Sequence, residues 1–242
     1  MRPIALIVRR ELMAYLRSPL GWVVAAVALL LDGLLFNFFA MGEGHRKSAD
    51  VLRQFFYFSS GTTMVASLFL AMRLIAEERQ TGTIALLYSS PVRDYQIVLG
   101  KFLSAFLFLA GITLATIYMP LLILVHGKIN LGQIFAGYLG LLLLGSASLS
   151  LGLFGSSLTR SQVVAIIIGA ALLLFLLLCW LIGSNTERPL SEIFSWLSLH
   201  NKHFQPFMSG IINSQDVVYY LSVTYFFLFA STRALEARRW SG

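Results

Sequence analysis

The sequence predicts an all-α membrane protein with six transmembrane helices and both termini in the cytoplasm. Three observations carry this prediction. Of 242 residues, 57% are hydrophobic and only 12% charged, where soluble domains carry about a quarter of their residues as charge. Apolar runs recur at about the 20 residues that a helix needs to cross the hydrocarbon core. Lys and Arg are also shared unevenly between alternate loops. Of the 18, 12 fall in the N-terminal segment, the loops after the second and fourth spans, and the tail, against 6 elsewhere. Loops rich in positive charge stay cytoplasmic.

Residues 1–18 form an amphipathic interfacial helix. Ile4, Val8, Leu12 and Tyr15 share one stripe, with Arg10 and Arg17 on the far side. Such a helix lies on the membrane surface with its arginines toward anionic headgroups. Ser18-Pro19 ends it and opens span one, which runs to about Met41. Spans two to six follow at about Phe55–Ala76, Leu99–Val125, Gln133–Gly155, Val163–Gly183 and Val217–Thr232. The transmembrane domain is thus 19–232, and 233–242 is a basic cytoplasmic tail. Residues 184–216 form a longer outer segment. Its Leu190, Ile193, Phe194, Trp196 and Leu197 suit an amphipathic helix at the outer interface. The alternative is that the segment docks an extracytoplasmic partner or caps a pathway.

Several function classes fall away at this stage. The net charge of +7 is accounted for by cytoplasmic loops, so no nucleic-acid partner is expected. The single Cys179 permits neither a disulfide framework nor a cysteine metal site. Residues 1–17 are too long and amphipathic, and 21–41 too long and apolar, for a cleavable leader. His200-x-x-His203 has helical ligand spacing, but Glu192 is the nearest carboxylate along the chain and no metal shell is complete. Neither a Ser/His/Asp arrangement nor H-E-x-x-H is present. Gly100-Lys101 lacks the upstream glycine of a phosphate-binding loop. No catalysis, metal or cofactor is therefore expected in this chain.

The segment 73–101, RLIAEERQTGTIALLYSSPVRDYQIVLGK, carries more than a turn requires. Gly82 lets the chain turn sharply, and Thr83 can cap a following short helix. Ile84, Leu87 and Tyr88 recur at helical spacing as a small apolar face, flanked by Glu77, Glu78 and Arg93. An apolar knob ringed by charge docks into a partner's groove. A juxtamembrane turn with its charges in water is the other reading, and Arg93 and Lys101 could equally anchor span three at the headgroups.

The run Glu77-Glu78-Arg79-Gln80-Thr81-Gly82-Thr83, then Ser89-Ser90-Pro91-Val92 and Leu99-Gly100-Lys101, resembles the signature of ABC-2 type transporter permeases. Arg9-Arg10-Glu11-Leu12, Ser18-Pro19-Leu20-Gly21, Ser156-Ser157-Leu158-Thr159, and the final Leu235, Glu236, Arg238, Arg239 and Trp240 agree with it. Within that family the chain looks most like the permeases associated with gliding motility. The resemblance implies that the first helix is an elbow helix and that 73–101 carries a coupling helix. It further implies separate ATPase subunits holding ATP and magnesium, a second permease protomer, and a pathway along spans two and five. Glu77, Glu78, Arg79, Gln80, Thr81, Gly82, Thr83, Ile84, Leu87 and Arg93 are then the expected ATPase-coupling residues. The implied function is export or mechanical transmission across a bacterial inner membrane. A scaffold that uses an ATPase to move or assemble extracytoplasmic proteins is the alternative.

Asp32 lies in span one, where an ionisable residue faces protein or a watery cavity. It is expected either to be protonated or to bond hydroxyls such as those of Thr113, Thr116 or Ser146. Ser59, Ser60, Thr62, Thr63 and Ser67 in span two either line a path with Asp32 for an amphiphile or bond backbone carbonyls. Ser148, Gly152 and Ser156, with Gly145 nearby, form a small-residue line that lets helices approach.

Overall fold

The computed structural model describes residues 2–40, 48–83, 92–126, 130–187 and 190–239, and among these every regular element is helical. Helix α1 (Arg2–Arg17) stops at Ser18, and Pro19 occupies the first turn of α2 (Pro19–Leu35). Proline suits that position because its missing N–H would have no partner there. Helix α2 widens into a π-helical turn at Phe36–Ala40. Then come α3 (Ser48–Ala71) and the short α4 (Ala76–Gln80). Helix α5 (Asp94–Ala115) is followed, after an irregular turn at 116–117, by α6 (Tyr118–His126). The break has a local cause. Pro120 has no N–H for the Thr116 carbonyl, and Met119 N–H reaches it instead at 3.0 Å.

Helix α7 (Leu131–Leu158) is capped by Asn130, whose side chain accepts from Gly132 N–H at 2.9 Å. Helix α8 (Gln162–Asn185) follows. The outer segment holds α9 (Leu190–Leu197) and α10 (Gln205–Met208), and α11 (Ser214–Arg239) closes the chain. Five helical stretches are long and apolar enough to cross a membrane: Pro19–Phe38, Ser48–Gln80, Asp94–Val125, Leu131–Leu158 and Gln162–Asn185. Helix α11 has the length but not the apolar density, because Tyr219, Tyr220, Ser222, Thr224 and Tyr225 replace aliphatic residues.

Helix α7 is the axis of the fold, with α3, α5, α8 and α11 packed around it. Of its apolar stretch 83% is buried, against 28% for α2 and α8, whose outer faces are left open. Small residues on α7 make this packing possible. A Cβ at Gly152 would stand 2.6 Å from Ala71 Cβ, and one at Gly155 would stand 2.7 Å from the Ala165 carbonyl oxygen. The small-residue line thus serves close packing against α3 and α8.

The outer segment departs from a purely interfacial expectation. Helix α9 is short, and Leu190, Ile193, Trp196 and Leu197 are exposed on it. Beyond it the chain turns inward. Leu199, His203, Phe204, Phe207 and Met208 are buried with Phe56, Leu141 and Tyr220. Gly140 makes room, since a Cβ there would meet Phe207 Cβ at 2.7 Å. His203 also corrects the expectation about nearby carboxylates. Its Nδ1 lies 2.7 Å from Asp216, remote in sequence but adjacent in space.

Candidate coupling interface

Four stretches far apart in sequence meet at the end of the bundle that holds α1. Each is brought there by its own helix. The turn 72–75 carries the chain from α3 into α4, and one hydroxyl organises it. Ser156 Oγ on α7 accepts from Ile75 N–H at 3.1 Å and Ala76 N–H at 2.9 Å, and donates to the Met72 carbonyl at 3.0 Å. The first N–H groups of a helix lack internal partners, so Ser156 caps α4 from another helix. Next to it, Arg79 Nη1 donates to the Ser157 carbonyl at 2.6 Å. A five-residue helix is too short to hold itself; α4 is held by α7.

Helix α1 is the second contributor. Tyr15 is buried and donates to the Leu70 carbonyl at 2.9 Å. Arg73 lies over the Tyr15 ring, donates to Ser18 Oγ at 2.9 Å, and pairs with Glu77 at 2.9 Å. Gly21 is needed where the chain folds back, because a Cβ there would stand 2.3 Å from the Tyr15 carbonyl oxygen. Helix α5 is the third contributor. A Cβ at Gly100 would meet Ile7 Cγ2 at 2.7 Å. Glycine therefore lets α1 lie directly on α5, and the next residue, Lys101, reaches under it.

Four charges close the arrangement. Lys101 Nζ lies 2.8 Å from Glu78 and 3.2 Å from Glu11, while Arg10 Nη2 lies 2.6 Å from Glu11 and 3.2 Å from Glu78. Two cations and two carboxylates balance, which is what allows the Lys101 side chain to be only 2% exposed. Burial alone would raise the Glu11 carboxyl, but Lys101 and Arg10 outweigh it and hold Glu11 below the usual carboxylate range.

Beside the cluster is a cleft of about 680 Å³, lined by Leu6 and Arg10 of α1, Glu77 of α4, Lys101 of α5, and Thr81, Thr83 and Val92 from outside the helices. Thr81, Gly82 and Thr83 are exposed at its edge. Gly82 has φ +74, the left-handed region that favours glycine. The Thr81 and Thr83 hydroxyls lie 2.9 Å apart.

The expected coupling residues divide four ways. Glu77, Glu78 and Arg79 turn their charge to partners in this chain, and Gln80, Thr81, Gly82 and Thr83 are exposed at the surface. Ile84 and Leu87 lie outside the described residues. Arg93 precedes α5, with its N–H bonded to Gln96 Oε1 at 3.1 Å. Lys101 is central to that cluster and not a headgroup anchor. Arg10, Glu11, Tyr15, Arg73 and Ser156 belong to the site although only the motifs containing some of them pointed that way.

The span-two hydroxyls face this chain's own interior. Ser59, Ser60, Thr62, Thr63 and Ser67 are all buried. Thr62 Oγ1 lies 2.6 Å from Asp32 Oδ1, so the partner of Asp32 comes from span two, in place of the expected Thr113, Thr116 or Ser146. Ser60, Thr62 and Ser67 also reach carbonyls three residues back, at 2.6, 3.0 and 2.7 Å.

A search among curated proteins found no match. The family model for "ABC-2 family transporter protein" matches residues 5–228, nearly the whole chain and every helix that builds the charge cluster. The chain belongs to the ABC-2 family of transporter proteins, as a multi-pass membrane component.

Proposed function

We infer that this chain is the permease subunit of an ABC transporter, and that α4 with residues 81–93 receives the stroke of a separate ATPase. The observation that carries this reading is the Glu11–Lys101–Glu78–Arg10 cluster beside an open cleft. A force applied at α4 passes without slack to α1 through Glu78, to α5 through Lys101, and to α7 through Ser156. These helices lead into the spans, so a push becomes a rigid-body rotation. The exposed Thr81–Thr83 edge supplies a surface for a partner, while the charges behind it supply stiffness.

On this reading α11 is a sixth span. Its 26 residues extend about 39 Å at 1.5 Å per residue, and its packing along α7 buries Tyr220 and Ser231. Six spans place both termini on the cytoplasmic side of a bacterial inner membrane, with α1 as the elbow helix. The transporter contains two permease protomers and two ATPases, and drives export or mechanical transmission.

Co-expression with candidate ABC ATPases from the same genome tests the assignment. The intact chain should purify as a stable complex whose ATP hydrolysis responds to the permease. A Glu78→Arg, Gly82→Pro double variant should lose the complex or its response. Absence of any ATPase binding by the intact chain would overturn the reading.

A further inference from the structure

We propose that Asp32 is a proton-binding site inside the membrane, filled and emptied as α2 and α3 repack. Asp32 is 6% exposed and lies toward the end of α2 remote from α1. Its carboxyl faces a cavity of about 10 Å³ lined by Ser59, Thr62, Thr113, Thr116 and Leu141 among others. That volume is at the lower limit for a single water. No Lys, Arg or His lines the cavity among the described residues. Tyr138 on α7 feels the Asp32 charge, and its hydroxyl lies 3.0 Å from Thr116 Oγ1. A lone buried carboxylate without a cation is costly, and a proton removes that cost.

The hydrogen bonds are arranged for both states. Thr62 Oγ1 lies 2.6 Å from Asp32 Oδ1 and 3.0 Å from the Ser59 carbonyl. A hydroxyl has one proton and cannot donate to both. When Asp32 is ionised, Thr62 donates to it. When Asp32 is protonated, the carboxyl donates to Thr62 Oγ1, and Thr62 donates to the Ser59 carbonyl. Neither state needs a heavy atom to move. The reaction is one proton taken up from the aqueous phase, as hydronium, onto one carboxylate oxygen; the Thr62 hydroxyl proton turns from Asp32 to the Ser59 carbonyl, and no other bond changes.

Ser59 supplies a second hydroxyl at the carboxyl. Its Oγ is buried, lines the same cavity, and stands against Asp32 as a further hydrogen-bonding partner, outside the ideal geometry that Thr62 has. Two hydroxyls on one carboxyl can serve its ionised and its protonated state. The backbone is irregular on both sides of the site. Phe36 N–H is shared between the carbonyls of Asp32 and Gly33 where α2 becomes π-helical, and Thr116 sits at the α5–α6 break. Such turns are where spans bend and where ion sites form in transporters. Rotation of α2 against α3 would part Asp32 from Thr62 and admit water, releasing the proton.

The test is infrared difference spectroscopy on the full chain in bilayers, alone and with its ATPase, nucleotide-free and vanadate-trapped. The wild type should show the C=O band of a protonated carboxyl, titrating with pH and absent in Asp32→Asn. Trapping should cut its intensity at least twofold. Thr62→Val should shift the band to higher frequency by removing its partner. A band missing at every pH, unchanged by trapping, or following Na⁺ in place of pH would overturn the proposal. The pH titration of the chain alone holds even if no ATPase binds, so the two readings fail separately.

Discussion

Lys101 Nζ sits 2.8 Å from Glu78 Oε1, joining α5 to the short helix α4. The same ammonium reaches Glu11 of α1 at 3.2 Å. One buried cation thus ties three elements that no stretch of backbone holds together.

Removing that cation leaves two carboxylates against a single Arg10. Lys101→Met should cost about 3 kcal/mol, the scale for breaking a buried pair from one side. Pairing it with Glu78→Gln should recover part of the loss. Thermal unfolding in detergent measures both, and a Lys101→Met variant as stable as wild type would refute the role of the cluster.

Gly100 and Ile7 form a size-matched contact. Gly100→Ala forces α1 off α5 and should destabilise the protein by about 1–3 kcal/mol. Trimming the opposing side chain, as Ile7→Ala in the same molecule, should make Gly100→Ala cheaper than it is in the wild type. A double-mutant cycle with no coupling between the two positions would rule out the close approach.

Ser156 serves three backbone groups with one hydroxyl. Ser156→Ala leaves two amides and a carbonyl unmet where α4 begins, at about 2 kcal/mol. Hydrogen exchange should rise in residues 72–80 before it rises elsewhere. Uniform protection with unchanged stability would mean that α4 is held by other contacts.

His200 makes the outer segment sensitive to acid. Ser60 Oγ donates to the Tyr57 carbonyl at 2.6 Å and so accepts from His200 Nε2, 2.8 Å away. Burial lowers the His200 pKa, against a smaller opposing contribution from Asn201. Between that lowered value and about 6.5, the unfolded segment binds a proton that the folded one refuses, so stability rises with pH through this window. The contribution is complete above about 6.5 and is lost as pH falls below it. Exchange of residues 198–208, corrected for intrinsic rates, should be faster at about pH 5.5 than at about pH 7.5, and His200→Phe should abolish the difference. Equal corrected rates in the wild type would contradict it.

The helices and their order could be read from sequence because hydropathy and helix stops are local properties. A twenty-residue apolar run must satisfy its backbone internally in lipid, so α2, α3, α5, α7 and α8 follow from composition alone. Pro19 marks a start by its own chemistry. Gly82 announced its turn because a positive φ is a property of one residue. Helix α11 was weaker for the same reason: Tyr220 is buried in the core, which local hydropathy cannot register.

Partnerships were the part that only tertiary structure decided. Nothing in the spacing of Glu11, Glu78 and Lys101 says that they meet, since 90 residues separate Glu11 from Lys101. Likewise Ser156 looked like one more small residue in a packing line until α4 was laid against it, and Asp32 found Thr62 where other hydroxyls were expected. The sequence determined which segments enter the membrane, through the transfer energy of each segment taken alone. Which polar groups would be neutralised depended on helix rotation and close approach, because the cost of a buried charge is set by what lies within a few ångströms of it and not by its neighbours along the chain.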